Sequence, residues 1–393
     1  MYDLLLKGGT LLDPASGVNQ PQDIAISGGR VQRIAAYIAD TEAARVINIR
    51  GNLAVPGLID LHVHVYEGIN QNGLNPDITG VYSGVCTVVD AGSGGSHTFG
   101  GMTRYVIPQA KTRVLCMVHI GRTGLAFTPE LRSRDDIDLP ATIAAIQGHQ
   151  PHVLGVKVRL VGPGVRDMGA EVVRLAKQAT AETATRLMVH IGDPDSMVSP
   201  DTTRQMLGMM ERGDIVTHFF TGNTGNVLDA NGRVFPEVRE ALDRGVTLDA
   251  AHGRFNFTFD AAQRIIQQGY RPHCISTDNT VPGRHTLVGS LTEIMSKFLA
   301  LGFSVEDVVR MTTVNPAKAI GMEDRLGALA AGREADISVL KVVDGRFLFR
   351  DSRGGTITGD KAIVPVLTVR AGVPMPLEFG PRSMGWLPDS ASG

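Results

Sequence analysis

The sequence predicts an α/β protein: a (β/α)8 TIM barrel accompanied by a small, discontinuous β-sandwich built from both chain ends. Three observations carry that reading. From Val55 to about Gly321, short apolar β-branched runs alternate with longer helix-patterned segments. The stretches before and after this region read as short strands punctuated by glycine and proline. No glycine-rich nucleotide loop follows the first apolar run, which argues against a doubly wound sheet.

At the start, Asp3–Lys7, Thr10–Leu12, Asp23–Ser27 and Val31–Ile34 alternate or run apolar, separated by GG, DPASG and GGR turn signals. Eight apolar runs follow: Gly57–Val63, Thr87–Asp90, Val114–His119, Leu154–Val158, Leu187–His190, Ile215–Phe219, Thr247–Ala251 and Cys274–Thr277. Several precede helical stretches, such as Gly169–Thr183, with Val172, Val173, Leu175 and Ala176 at helical spacing, and Asp260–Gln268. Strands apolar on both faces, each leading into a helix, describe a closed parallel barrel. Strand-like runs return at Ala335–Lys341, Phe347–Phe349, Thr356–Thr358 and Ala362–Val369. The expected division is 1–54 and 322–380 for the two parts of the sandwich, 55–321 for the barrel and 381–393 for a tail.

With 393 residues, 43% hydrophobic and 20% charged, the chain can bury a large core and is not disordered. Its net charge of −2, without a basic block, argues against a nucleic-acid partner. No run approaches the roughly 18 apolar residues of a membrane span, and the N-terminal Leu4–Leu6 run is too short for a secretion signal. Cys86, Cys116 and Cys274 lie singly in apolar runs and read as buried hydrophobes of a reducing, cytoplasmic protein. Met206, Met209 and Met210 read as helix packing.

The polar residues at the ends of the apolar runs carry the chemistry. His62 and His64 end the first, Lys157 lies in the fourth, His190 ends the fifth, His218 lies near the end of the sixth, and Asp278 ends the eighth. In a parallel barrel those ends converge on one mouth, where active sites are built. His62 and His64, two apart on a strand, face one side. A lone histidine in an apolar strand is usually a core residue. Four histidines and an aspartate at strand ends suit Zn²⁺, with Mn²⁺, Co²⁺ or Fe²⁺ as variants. Lys157 sits in an apolar strand, where a bare ammonium is costly. Two readings stay open for it: a neutral amine that takes up CO₂ as a carbamate, or a lysine that snorkels to the mouth and meets a carboxylate.

PGLIDLHVH, the strand lysine, VHIGDP, THFFTG and STDN together resemble the amidohydrolase superfamily, in its dihydroorotase- and dihydropyrimidinase-like binuclear branch. LLKGGTLLDP, DIAISGGRVQRIA, NPAKAIG and GALAAGREADISVL resemble that family's small β-sandwich, so the likeness spans residues 2 to 375. FTGNTGN and TLDAAHGRFNF are similar to a deacetylase-like group often labelled dihydroorotase. The resemblance implies a carboxylated Lys157 bridging two divalent metals, with His62, His64 and Asp278 on one and His190 and His218 on the other. It further implies hydrolysis of small acetylated carboxylic acids, as esters or amides, by a metal-bridging hydroxide, Asp278 moving the proton.

Tyr66, Asn223, His252, Arg122 and Arg159 are the candidate substrate contacts, because each lies just beyond or within two residues of a strand-end group. His97, His119, His149, His152, His273 and His285 read as structural or exposed. Dihydroorotases usually read HxHxR, the arginine gripping the substrate carboxylate, whereas this chain has Tyr66 there. Dihydroorotase-type hydrolysis of a cyclic amide is therefore the alternative rather than the leading reading. A mononuclear deaminase lacks a bridging strand lysine, and a non-catalytic scaffold of the dihydropyrimidinase-like kind would have lost ligands. The expected partner is a small-molecule substrate, with a homo-oligomer left open.

Overall fold

In the computed structural model, which describes residues 1–391, seven of the eight apolar runs form one parallel sheet. Its strands are β6 (Leu58–Val63), β7 (Val85–Gly95), β8 (Arg113–His119), β9 (Val153–Arg159), β10 (Arg186–His190), β11 (Ile215–Thr217) and β12 (Thr247–Asp249), paired in chain order. Every residue of β6 and β7 is buried, as strands covered on both faces require. The helix Glu171–Thr183 buries Val172, Val173, Leu175 and Ala176, the stripe seen in the sequence.

The eighth run, Cys274–Thr277, does not form a regular strand. It closes the barrel through isolated parallel bridges, Asp249 to Cys274 on one side and Val63 to Asn279 on the other. Two local causes explain this. The Ile275 N–H turns away to the Met311 carbonyl of the helix Val305–Thr312, and Asp278 takes a left-handed φ of 49° that ends any ladder. The Asp278 N–H then donates to the His62 carbonyl at 2.7 Å, pinning the seam at the metal ligands.

Both chain ends meet in one mixed eight-stranded sheet: β1 (Leu4–Asp13), β2 (Val18–Ser27), β3 (Arg30–Ala35), β4 (Val46–Asn48), β5 (Leu53–Pro56), β13 (Ile337–Arg350), β14 (Thr356–Arg370) and β15 (Val373–Met375). Runs that read as separate strands are continuous here. Phe347–Phe349 extends β13 beyond a register shift between Asp344 and Phe347, and Thr356–Thr358 joins Ala362–Val369 in β14. The expected tail lies within the described residues except for its last two. Cys86, Cys116 and Cys274 are free and buried, and Met206 and Met210 are fully buried. Among the described residues no helix is long and apolar enough to cross a membrane.

The sheet is welded to the barrel at the start of β6. One residue, Gly57, separates β5 from β6, and a Cβ there would lie 2.8 Å from the Cys86 side chain and 2.9 Å from that of Asp336. Buried Asp336 accepts from Arg113 of β8 at 2.7 Å, from Arg370 of β14 at 3.1 Å and from the Ala371 N–H at 2.8 Å. Ser338 accepts from the Leu58 N–H and donates to the Gly84 carbonyl. Removing one member of a buried ion pair leaves the other charge uncompensated, at a cost of about 3–5 kcal/mol. We predict that Asp336→Ala lowers unfolding stability by about that amount, read from the denaturant midpoint. An unchanged midpoint would show that this weld is not structurally important.

Candidate metal centre

The strand ends bring the expected residues together. His62 lies in β6 and His64 one residue past it, Lys157 lies in β9, His190 ends β10, His218 follows β11, and Asp278 follows the eighth run. Ligand atoms of His62, His218 and Asp278 lie within 4.8 Å of one another and form a metal-binding group. His64 Nε2 stands 3.1 Å from Asp278 Oδ1, and the His190 and His218 rings are 4.1 Å apart. His218 and Asp278 both hold left-handed backbone, with φ of 69° and 49°. Such strain in non-glycine residues is retained where surrounding structure enforces it, commonly at functional sites.

Hydrogen bonds behind the imidazoles decide which nitrogen faces the mouth. His218 Nδ1 is 2.9 Å from the Ala251 carbonyl, which requires the proton on Nδ1. That leaves a lone pair on Nε2, a fully buried nitrogen with no partner among the described residues. An orphaned buried acceptor facing an aspartate is what a metal ligand looks like before its ion is counted. His62 Nδ1 meets Thr217 Oγ1 at 2.8 Å, and Thr217 donates on to Asp249 Oδ2 at 2.7 Å. Ser276 also donates to Asp249, while Asp60 accepts from Thr277 and from the His62 N–H. His64 Nδ1 pairs with Ser93 Oγ at 2.9 Å.

Burial holds His62 and His190 well below the ordinary imidazole range and pushes His218 down to about 4, keeping them neutral donors. Burial raises Asp249 and Asp60 to about 7 each. Asp278 goes the other way. Burial opposes its charge, but the His64 hydrogen bond and the pull of the neighbouring His218, His64 and Lys157 side chains outweigh that and bring it down to about 2. Lys157 is fully buried with no carboxylate partner among the described residues; its amine lies 3.1 Å from His62 Nε2 and 3.6 Å from Met188 Sδ. Burial lowers it to about 7. The snorkelling alternative, which needed a carboxylate at the mouth, finds no ion pair here.

A cavity of about 220 Å³ opens above the group, lined by His64, His190, Asp278, Arg159, Arg254 and Asn256 among others. Of the five expected substrate contacts, only Arg159 lines it. The other four lie outside this lining, each engaged by other partners. Tyr66 is buried and its hydroxyl donates to the Thr98 carbonyl at 2.6 Å. Asn223 braces the neighbouring loop, donating to the Phe255 carbonyl and Asn256 Oδ1 and accepting from Arg353. His252 is fully buried, stacked on Phe257 and hydrogen-bonded to buried Lys297 at 2.9 Å. Arg122 is tied to Asp136 and the Asp135 carbonyl at the surface. Of the histidines read as structural, buried His119 accepts the Gly121 N–H at Nδ1, and its Nε2 has no hydrogen-bond partner among the described residues.

Arg254, Asn256, Glu130, Thr217 and Asp249 also stand at or behind the site, outside the expected set of ligands and substrate contacts. Thr217 and Asp249 sit inside apolar runs, and such polar intruders are the signal that could have marked the layer behind the ligands.

A curled parallel barrel with a histidine–aspartate metal group at its mouth defines the class of metal-dependent hydrolases. The chain belongs to the amidohydrolase family, whose description matches residues 53–362. It is 32% identical over 338 residues to the deacetylase Atu3266 of Agrobacterium fabrum, covering 84% of this chain and 81% of the relative. It is 30% identical to a deacetylase of Enterococcus faecalis, covering 94% and 98%. Solved structures described as an adenine deaminase and a dihydroorotase superpose with TM-scores of 0.88 and 0.87 at 30% and 29% identity. Each superposition covers 96% of this chain, and 100% and 98% of the respective structures.

Thr217 is the residue on which the His62 orientation hangs. Loss of such a partner typically weakens metal binding about 10- to 100-fold. Thr217→Val, which keeps shape and removes the hydroxyl, is predicted to lower metal affinity by that factor in chelator competition. Affinity equal to wild type would refute the orienting role.

Proposed function

We propose that the chain is a binuclear deacetylase, hydrolysing the acetyl ester or amide of a small carboxylic acid. The barrel, residues 55–321, is taken as the catalytic unit, with 1–54 and 322–380 as its support. The observation that carries the reading is the group His62, His218 and Asp278 beside a small cavity lined by His64, His190 and Asp278, in a chain with deacetylase relatives. His62, His64, Lys157, His190, His218 and Asp278 would hold two divalent cations, zinc foremost, with Lys157 carboxylated on its amine by CO₂. Once bound, the cations supply a Lewis acid for the scissile carbonyl and acidify water at neutral pH.

The chain's own residues do the rest. Asp278, ionised and held by His64, is placed to accept the proton of the attacking water and return it to the leaving oxygen or nitrogen. The neutral His62 and His218 leave their lone pairs to the metals, because Thr217 and the Ala251 carbonyl occupy their other nitrogens. Lys157 meets the requirement for carboxylation: a buried amine without a counter-ion, beside His62. Three free, buried cysteines suit a reducing cytoplasm.

Two measurements test this. Elemental analysis of active enzyme is expected to find two metals per chain, and Lys157→Ala to lose paired metal and turnover, with added propionate restoring part of both. Full turnover and both metals in Lys157→Ala without additive would exclude the bridge.

The second reading, cyclic-amide hydrolysis of the dihydroorotase kind, meets a specific obstacle. The position that usually supplies a carboxylate-binding arginine holds Tyr66, and that side chain points to the Thr98 carbonyl instead of the cavity. Metal-loaded enzyme assayed on both classes should cleave some acetylated hydroxy or amino acid and leave dihydroorotate essentially untouched. Dihydroorotate turnover with kcat/KM above about 10⁴ M⁻¹s⁻¹, an ordinary enzymatic value, would reverse the assignment.

A further inference from the structure

The cavity above the metal group contains two arginines, and they differ in what they already hold. Arg159 is engaged: its guanidinium lies 2.6 Å from Glu130 Oε1, a carboxylate only 5% exposed. Arg254 lines the same cavity, half-buried, and among the described residues makes neither an ion pair nor a hydrogen bond. Its one recorded partner is the ring of Phe255, 4.6 Å from the guanidinium carbon, which steadies the plane of the group without using its N–H donors.

The backbone leading into that arginine passes beside the metal-binding aspartate. Gly253, immediately before it, has a left-handed φ of 58°, and a Cβ there would lie 2.3 Å from Asp278 Oδ2. Only glycine lets the chain pass so close to the metal-binding aspartate and then turn Arg254 toward the space above it. Behind the turn, His252 is locked between Phe257 and Lys297, and Asn256 is held by Asn223. On the far side Gly283 presents no side chain; a Cβ there would touch Arg254 Cγ at 3.7 Å.

We infer that Arg254 is the specificity-determining residue of this site, its free guanidinium receiving the carboxylate of the acetylated acid. The inference rests on the deacetylase reading and adds to it the group that chooses the substrate. A planar fork of donors without a carboxylate of its own, facing a cavity that also holds the metal ligands, matches a substrate carboxylate in charge and geometry. Neither Arg122, bound at the surface, nor Arg159, neutralised by Glu130, offers that.

The test compares free acids with their methyl esters. Acetylated hydroxy and amino acids are assayed beside the matching methyl esters on wild type, Arg254→Met and Arg254→Lys, with metal content and thermal melting measured for all three. Wild type is expected to prefer the acid. Arg254→Met should reduce that acid-over-ester ratio of kcat/KM by about 30-fold or more, mainly through KM, as for loss of a charge-assisted pair. Arg254→Lys should fall between, since an ammonium keeps the charge and loses the fork. A wild type that shows no preference for the acid, or an Arg254→Met that keeps the preference with metals in place, overturns the role of Arg254 while leaving the deacetylase intact. If wild type cleaves no acetylated compound at all, the deacetylase reading falls and the inference with it.

Discussion

The hydrogen bond between His62 Nδ1 and Thr217 Oγ1 is the point on which the mouth of the barrel depends. It joins β6 to β11 across the barrel, and through Thr217 it continues to Asp249 on β12 and Ser276 in the eighth run. A buried imidazole without such a partner could rotate, swap tautomers or take up a proton, and each change would withdraw its lone pair from a metal. The dry surroundings make the network matter more, since an unmet donor in this space costs far more than it would in water. The same bonds therefore hold the barrel seam and set the chemistry of the ligands.

The rest of the architecture serves that arrangement. Strands apolar on both faces hold the ring of ligands at fixed height, and the seam at the eighth run is closed at the ligands themselves, by the Asp278 N–H on the His62 carbonyl. Above this end, loops such as Arg254–Asn256 line the cavity. Barrel enzymes in general keep the scaffold and vary those loops. That explains how chains of one shape can include proteins described as deacetylases, a deaminase and a dihydroorotase.

The fold and the metal-binding group were legible in the sequence because both depend on local pattern. An apolar run ending in histidine states its own direction, and parallel strands place all such ends together. The loop residues were not legible. Tyr66, Asn223, His252 and Arg122 have the right chemistry and the right neighbours in sequence, yet each is claimed by a partner from another element: Thr98, Arg353, Lys297 and Asp136. Arg254, unlike Arg159, has no carboxylate partner among the described residues, a distinction that no spacing rule contains. The missing regular strand at Cys274–Thr277 has a similar cause, since the competing Met311 carbonyl lies on a helix that starts about thirty residues later.

The antiparallel pairing of β5 with β13, Val55 opposite Ser338, has a consequence for how the protein is born. During synthesis β5 emerges from the ribosome early, with the first barrel strand only one residue behind it. Its partner follows after nearly three hundred further residues, when the whole barrel has already been made. Until then the nascent chain carries an open strand edge, the kind of surface that invites pairing with a neighbouring polypeptide. The strand that covers β5 thus leaves the tunnel only after the barrel, and a translation product cut short before β13 keeps that adhesive edge for its lifetime.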